Sequence, residues 1–266
     1  MLTMGNGPVG GDGSTQLLYT IENIKRDEIC QSEDIVALTE GAKVKSVFFS
    51  DSGDPCIYDS TGILLILQHW RSPGQARWVP VLDTKQLDRL ASGKKEESYW
   101  PVAVAHEKFH CIILKGGDQY PYFPKPLLSE FDFKIPSHTL APPEDAENPA
   151  ALEGPKLEES FVRNSLMLSL LEDLVSSTNA THSQRTELSR REIGVDKALL
   201  QLLNVECREG EERGMKALEI VELMRDRSGK MVEAAGKVAG RYGRTVLQEK
   251  IAELAEKRLM GIEDEG

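Results

Sequence analysis

The sequence predicts a multidomain protein in which a β region is followed by an α region. All three tryptophans and nearly all other aromatic residues lie between residues 16 and 136, in short apolar stretches separated by Gly, Asp, Ser and Pro. From about residue 157 onward there is no proline, and apolar residues recur at spacings of three and four. The first pattern is typical of strands and turns, and the second is typical of helices.

Composition limits the class of protein. The 266 residues are 40% hydrophobic and 28% charged, which is typical of folded globular proteins. The net charge of -11 argues against unselective binding to nucleic-acid phosphates, so we expect protein partners. The four cysteines form no C-x-x-C pair, which argues against a disulfide scaffold or a zinc ribbon. The longest apolar run is Ile63 to Leu67, so no membrane span is expected.

The β region contains two sets of predicted strands. Four strands fall within about forty residues, the repeat length of a propeller blade. They are residues 43–51, 56–59, 63–67 and 77–83. A second set is 99–106, 109–114 and 131–135. We therefore predict a partial WD-type β-propeller of about two blades over residues 16–140, preceded by a disordered tail at 1–15.

The α region follows an acidic, proline-rich segment at 141–156, which we interpret as a linker. Residues 157–262 are predicted to form a five-helix bundle. The helices are placed at about 157–178, 183–209, 211–226, 229–241 and 244–260. Gly236 and Gly240, four residues apart, either let another helix approach closely or merely weaken their own helix.

No catalytic residue is predicted. The sequence Gly5-Asn-Gly7-Pro-Val-Gly10 matches a dinucleotide fingerprint, but no strand is expected before it and no helix after it. Scattered histidines and the absence of a nucleophile motif also argue against an enzyme.

Two clusters of possible metal ligands have simpler interpretations, so no metal and no cofactor is expected. The first cluster is His106, His110 and Cys111, which lacks a second His or Cys pair. The second is Asp51, Asp54 and Asp59, which lacks the order of a calcium loop and fits turn-forming aspartates.

Apolar residues on the second and fourth helices are the candidate binding residues. Leu199, Leu203 and Cys207 share one face of the second helix. Ala235 and Val238, with the neighbouring Ala234 and Ala239, lie on the fourth helix. Together they either form a shallow groove that accepts an amphipathic peptide helix or pack in the bundle core.

Several segments together resemble one known family. They are KVKSVFFSDSGDPCIYDSTGILLIL, RWVPVLDT, YWPVAVAHEKFHCIILKGG, YPYFPKPLLSEFDFKIP, ESFVRNSLMLSLLEDL and VLQEKIAELAEKRL. In this order they resemble the SepB-type C-terminal region of the chromosome-transmission-fidelity and minichromosome-loss replication adaptor family, whose animal member is the acidic nucleoplasmic DNA-binding protein. The resemblance covers about Leu17 to Met260.

The resemblance implies a nuclear adaptor that is not an enzyme. Members of this family are homotrimers built on six-bladed propellers. Their bundles capture helical peptides of GINS and of DNA polymerase alpha, with roles in sister-chromatid cohesion and fork-linked repair. The peptide lies on the second and fourth helices, which points to Leu199, Leu203, Cys207, Ala235 and Val238. On this interpretation, Leu203→Glu or Ala235→Glu would abolish peptide binding and leave the helices intact.

The sequence departs from the family in containing about two blades instead of six, which suggests a truncated chain and leaves its trimerisation open. It also shows no HMG box, so direct DNA binding has little support and chromatin association would be indirect. An alternative class is a membrane-coat or nuclear-pore scaffold, which has the same propeller-then-helix order but a longer helical array.

Overall fold

The structure is a computed structural model that describes residues 1–9, 15–87, 90, 97–122, 124, 126–136, 153–177, 179–209 and 214–260. Its contacts divide the chain into two units. The sheet unit contains Met1–Pro136 and Ser169–Ala180, and the helical unit contains Ser137–Leu168 and Thr181–Gly266. Strands precede helices along the chain, which confirms the predicted β-then-α arrangement.

The sheet unit contains three antiparallel sheets. The first is β1 (Leu2–Val9), β2 (Thr15–Asn23) and β3 (Glu28–Ile35), in that order. The middle sheet is β4 (Val44–Phe49), β5 (Pro55–Asp59), β6 (Ile63–Gln68) and β7 (Arg77–Asp83), and a short 3-10 helix at Thr84–Gln86 follows it. The third is β8 (Glu97–Ala105), β9 (Lys108–Lys115) and β10 (Leu128–Asp132), with β9 in the centre.

The middle sheet is covered on both faces. On one face, Ile57 belongs to a core cluster with Tyr19 of the first sheet, and the ring of Tyr19 meets that of Trp78 edge-on at 5.4 Å. On the other face, the ring of Tyr58 stacks on Phe109 of the third sheet at 5.3 Å. Every residue of β5 is buried, which explains why this segment is a continuous apolar run rather than an alternating one.

The prediction of a disordered tail at residues 1–15 is wrong for its first part, because β1 lies there. The Gly, Asn and Pro residues of β1 give little strand signal of their own. Pairing with the apolar strand β2 holds it in place, with Leu2 opposite Ile21. The first sheet, β1 to β3, was not recognised as a set of strands in the sequence, so the two predicted sets become three sheets. Residues 10–14 lie outside the described part.

The last predicted strand is displaced. The structure places β10 at Leu128–Asp132, where it pairs with β9, instead of at 131–135. After β10 the chain turns to the middle sheet, where the Lys134 N–H donates to the Val81 carbonyl at 3.0 Å. Phe133 and Ile135 follow the end of β10 and are buried there. Their apolar character therefore reflects burial and not membership of the strand.

The five predicted helices are present. They are α1 (Glu153–Ser177), α2 (His182–Glu209), α3 (Met215–Glu222), α4 (Lys230–Arg241) and α5 (Thr245–Leu259). Helix α1 begins inside the predicted linker at 141–156, the rest of which lies outside the described residues. Helix α3 is shorter than expected, because Gly214 precedes it in a left-handed conformation and the chain leaves the helix after Glu222.

The core of the helical unit is apolar and draws on all five helices. Its buried residues include Leu168, Leu203, Val221, Ala235 and Ile251. The paired glycines of α4 face α5: a Cβ on Gly236 would lie 3.8 Å from Ile251, and one on Gly240 would lie 3.2 Å from Gln248. The distance at Gly236 is ordinary van der Waals contact, so a close approach to α5 is seen at Gly240, where it involves the end of the Gln248 side chain.

Candidate functional site on the helical unit

The residues predicted to line a groove lie mostly in the core. Leu199, Leu203 and Ala235 have no exposed side-chain surface, and Cys207 is only 3% exposed. Burial also raises the pKa of the Cys207 thiol. Val238 alone is half-buried. The prediction that these residues line an open groove is therefore wrong for four of the five.

The reason is geometric. The most apolar stripe of an amphipathic helix is the one that faces the core, and Leu199 and Leu203 lie on that stripe of α2. Successive residues of an α-helix are about 100° apart, so Leu200 lies at the edge of the stripe. Leu200 is half-buried and packs against the core from outside, as Val238 does on α4.

These edge residues lie on α2 and α4, which are neighbouring helices. The two helices are in contact, and the Tyr242 hydroxyl donates to the Asn204 amide oxygen at 3.1 Å. Leu200 on α2 and Met231, Val238 and Tyr242 on α4 are partly buried and pack against the core, and Ile193 is 50% exposed. We call this surface the α2–α4 seam and define it by Ile193, Leu200, Asn204, Met231, Ala234, Val238 and Tyr242.

Sequence reasoning missed most of the seam. The sequence pattern that marks the seam is weak. It consists of isolated apolar residues, such as Ile193 and Leu200, that lie next to the buried stripe of α2 on a face that is otherwise polar. Of the α4 residues named from the sequence, Ala234 and Val238 are partly exposed, whereas Ala235 and Ala239 are buried.

An open cavity of about 660 Å³ lies at one end of the seam. Its lining combines apolar seam residues with charged residues of α2 and of the loop between α3 and α4. The residues are Glu192, Ile193, Asp196, Arg225, Asp226, Arg227, Ser228, Lys230 and Met231. Three are basic and three are acidic, so the lining is formally neutral.

Two aspartates hold the loop that forms this cavity. Asp196 is buried and accepts a hydrogen bond from the Arg225 N–H at 2.8 Å, and burial raises its pKa. Asp226 accepts from the Met231 N–H at 2.8 Å and from both the N–H and the hydroxyl of Ser228. These bonds lower the pKa of Asp226 and cap the first turn of α4.

Two glycines of the dinucleotide-like motif lie in a strand and not in a loop. Gly5 and Gly7 belong to strand β1, where Gly5 lies opposite Leu18. A dinucleotide loop needs a turn between a strand and a helix, and the described residues here form no such turn. Gly10 lies outside the described residues.

The candidate metal ligands have structural roles instead. Asp54 binds Arg71, Asp59 accepts from the N–H groups of Thr61 and Ile63, and Asp51 accepts from the His106 N–H at 3.0 Å. The ring of His110 lies 3.3 Å from the Ala105 carbonyl oxygen, and Cys111 is buried. Across the described ranges, no group of three or more His, Cys, Asp or Glu side chains could hold a metal ion.

None of the helices in the described part of the chain combines the length and the apolar character needed to cross a bilayer.

The fold and the seam define a class of protein in which a unit of stacked β-sheets is joined to a helical unit with an apolar surface seam. Two family models match this chain. Residues 1–137 match "Minichromosome loss protein, Mcl1, middle region", and residues 155–261 match "DNA polymerase alpha-binding protein Ctf4, C-terminal domain". The chain therefore belongs to the Mcl1 and Ctf4 family, as the sequence resemblance indicated.

Curated relatives agree with this assignment. The chain is 46% identical, over 96% of its length, to minichromosome loss protein 1 of Schizosaccharomyces pombe, and it covers 30% of that protein. It is 31% identical, over 81% of its length, to the DNA polymerase alpha-binding protein of Saccharomyces cerevisiae, and covers 26% of it. A human relative, WD repeat and HMG-box DNA-binding protein 1, is 28% identical over 92% of the chain, which covers 20% of that relative. The chain thus spans less than a third of each relative.

Proposed function

We propose that this chain is the client-binding part of a nuclear replication adaptor, and that it captures short helical peptides of DNA polymerase alpha in the α2–α4 seam. The relative from S. cerevisiae is named a polymerase alpha-binding protein, and the model that matches residues 155–261 carries the same name. These residues contain α2 and α4. The relatives from S. cerevisiae and human are named as binding proteins, which supports the role of an adaptor and not of an enzyme.

The seam is the observation that carries this proposal. An amphipathic helix buries apolar residues at spacings of three, four and seven in a groove between two helices. Leu200 and Val238 provide half-buried apolar surface on opposite sides of the seam, and Ile193 adds exposed surface at one end. Ala234 is small, so a visiting helix could approach α4 closely.

The strength of such a contact follows from its size. Burial of a few apolar anchors in a shallow seam supports binding of about micromolar strength, or about -8 kcal/mol. We propose that the complete protein is a homotrimer, as the family resemblance implies. Three seams on one body would then hold several clients, including GINS and polymerase alpha, at high effective concentration. Coupling of the replicative helicase to the polymerase, sister-chromatid cohesion and fork-linked repair would all depend on this avidity.

The three sheets are proposed to be consecutive blades of a β-propeller. The middle sheet has both faces covered, as an internal blade requires. The outer sheets have exposed apolar residues, including Ile29 at 62% and Ile35 at 55% in the first, and Val102 at 51% in the third. Neighbouring blades would cover such residues in a closed ring.

Fluorescence polarisation tests the seam. Labelled amphipathic segments of the large subunit of polymerase alpha are titrated with the chain and with two variants, Leu200→Glu and Val238→Glu. A carboxylate in the seam would have to be desolvated by the peptide, so we expect at least a tenfold loss of affinity, about 1.4 kcal/mol or more. Both variants should keep their helical circular dichroism.

Val246→Glu is the matched control. Val246 is an apolar residue of α5 that is 63% exposed and lies outside the seam. The same charge at this position should leave affinity unchanged. If the two seam variants fold and bind every peptide as tightly as the parent chain, the seam is not the client site.

A further inference from the structure

Ser228 carries an exposed hydroxyl in the loop between α3 and α4, and three basic residues lie within three positions of it in the sequence. The loop reads Arg225-Asp226-Arg227-Ser228-Gly229, and Lys230 follows as the first residue of α4. Arg225, Arg227 and Lys230 are exposed and line the same cavity as Ser228. A serine hydroxyl with an arginine three residues before it matches what arginine-directed protein kinases accept, because their acidic pockets bind the guanidinium in two-pronged hydrogen bonds.

We propose that Ser228 is a phosphorylation site for an arginine-directed protein kinase. The proposal goes beyond the adaptor function, because it concerns a modification that acts whether or not a client is bound. In the transfer step, Ser228 Oγ attacks the terminal phosphorus of the ATP held by the kinase. The new P–O bond forms as the bond to ADP breaks, ADP leaves, and the hydroxyl proton passes to the catalytic base of the kinase.

The structure shows which hydrogen bonds phosphorylation of this hydroxyl would disrupt. Ser228 Oγ–H donates to Asp226 Oδ1 at 2.7 Å, and the Ser228 N–H donates to the same oxygen at 2.9 Å. Phosphorylation removes the hydroxyl donor and places a group of charge about -1.5 to -2 beside the carboxylate. The two anions must move apart, and the exposed cations Arg225, Arg227 and Lys230 are the groups nearest in sequence that can bind the phosphate.

The charge of the cavity changes as a result. Its three basic and three acidic lining residues balance formally before modification, and the phosphate makes the lining negative. The cavity shares Ile193 and Met231 with the α2–α4 seam. Phosphorylation therefore changes the electrostatic potential at the end of that seam.

The test uses the catalytic subunit of cAMP-dependent protein kinase with ATP, the full chain, and mass spectrometry that resolves each phosphate. We expect phosphate on Ser228 in the parent chain and none at this position in Ser228→Ala. Arg225→Gln should lower the initial rate at Ser228 about tenfold, because it removes a charge-assisted contact with the kinase. Arg225→Gln keeps the backbone N–H that binds Asp196, and circular dichroism of this variant checks that the helical unit retains its fold.

Two controls make the result decisive. Arg241→Gln removes an exposed arginine of α4 outside the loop and should leave the rate at Ser228 unchanged. The sequence also has the same spacing at Arg89 and Ser92, outside the described residues, so phosphate there is counted separately. A synthetic peptide of residues 221–232 shows whether the sequence itself is accepted. The proposal is overturned if the peptide is phosphorylated and the folded chain is not, if neither is, or if Arg225→Gln reacts at the parental rate.

Discussion

In the sheet unit, an arginine lies between two buried aspartates, whereas the core cluster of the helical unit consists of apolar side chains. The Arg71 guanidinium is 3.0 Å from Asp54 and 3.1 Å from Asp173, and it stacks on the Trp70 ring at 4.2 Å. Burial raises the pKa of Asp54, although hydrogen bonds from Trp70 and Arg71 act in the opposite direction.

The difference shows how each unit reaches a unique structure. Buried ion pairs add little net stability, but they are costly to break, because the remaining charge stays buried without a partner. In the sheet unit the pairs fix the chain around Arg71 against Ser169–Ala180, the part of the chain that belongs with the sheets. The helical unit depends mainly on the shape of its core, and most of its described charged residues lie at or near the surface, Asp196 being a buried exception that holds the loop before α4. The seam of this unit is mostly apolar, with Tyr242 and Asn204 as a hydrogen-bonded polar pair.

The largest loss of stability is expected for a substitution in the core of the helical unit, compared with the same substitution in the seam. Leu203→Glu places a carboxylate at a position with no exposed surface, where desolvation costs several kcal/mol and the leucine packing is lost as well. We expect this unit to unfold, with loss of most of the helical circular dichroism. Leu200→Glu, one residue along the chain, is the control and should remain folded. If Leu203→Glu stays fully helical, the assignment of core and seam is wrong.

The next effect tests the charged cluster of the sheet unit. Arg71→Ala leaves Asp54 and Asp173 buried without their common cation, so we expect a loss of about 3 to 5 kcal/mol in the free energy of unfolding. All three tryptophans, Trp70, Trp78 and Trp100, lie in the sheet unit. Urea unfolding followed by tryptophan fluorescence therefore measures this unit selectively.

The control for the charged cluster is Arg163→Ala in α1, at a position that lies in the helical unit, so its urea unfolding is followed by helical circular dichroism. Arg163 pairs with Glu159 one helical turn away, and its side chain is 31% exposed. Helical pairs of this spacing contribute only about 0.3 to 0.5 kcal/mol. Equal losses of stability for Arg71→Ala and Arg163→Ala would show that the buried cluster contributes no more to the free energy of unfolding than a helical surface pair.

The sequence also predicted the two units to different extents. All five helices were found, and α2, α4 and α5 within one residue of their bounds, because apolar periodicity and the lack of proline are local signals. The face of α2 that lies open was not found. Leu199 and Leu200 are adjacent leucines, and only the packing of the other helices decides which of them is buried. Strand β1 was missed because its strand conformation depends on pairing with β2 and not on its own residues.

The smallest expected effect concerns a surface ion pair of the helical unit and depends on pH. Arg190 and Arg191 donate hydrogen bonds to Glu187, which lowers the pKa of that carboxyl from 4.5 to about 2. The ionised form is favoured in the folded chain, so the stabilisation is present above pH 4.5 and is lost as the pH falls toward 2. Because Glu187 lies at the surface, solvent screening limits this stabilisation to about 0.5 kcal/mol.

Urea unfolding of the parent chain and of Glu187→Gln at pH 6 and pH 3, followed by helical circular dichroism, measures this difference. The variant should be less stable by about 0.5 kcal/mol at pH 6, and the gap should narrow at pH 3. Glu219→Gln on α3 is the control, since the described part of the chain gives Glu219 no ion pair. A gap that widens toward acid would mean that the arginines do not stabilise the ionised Glu187. This surface pair would then differ from the buried cluster at Arg71 in adding nothing to stability.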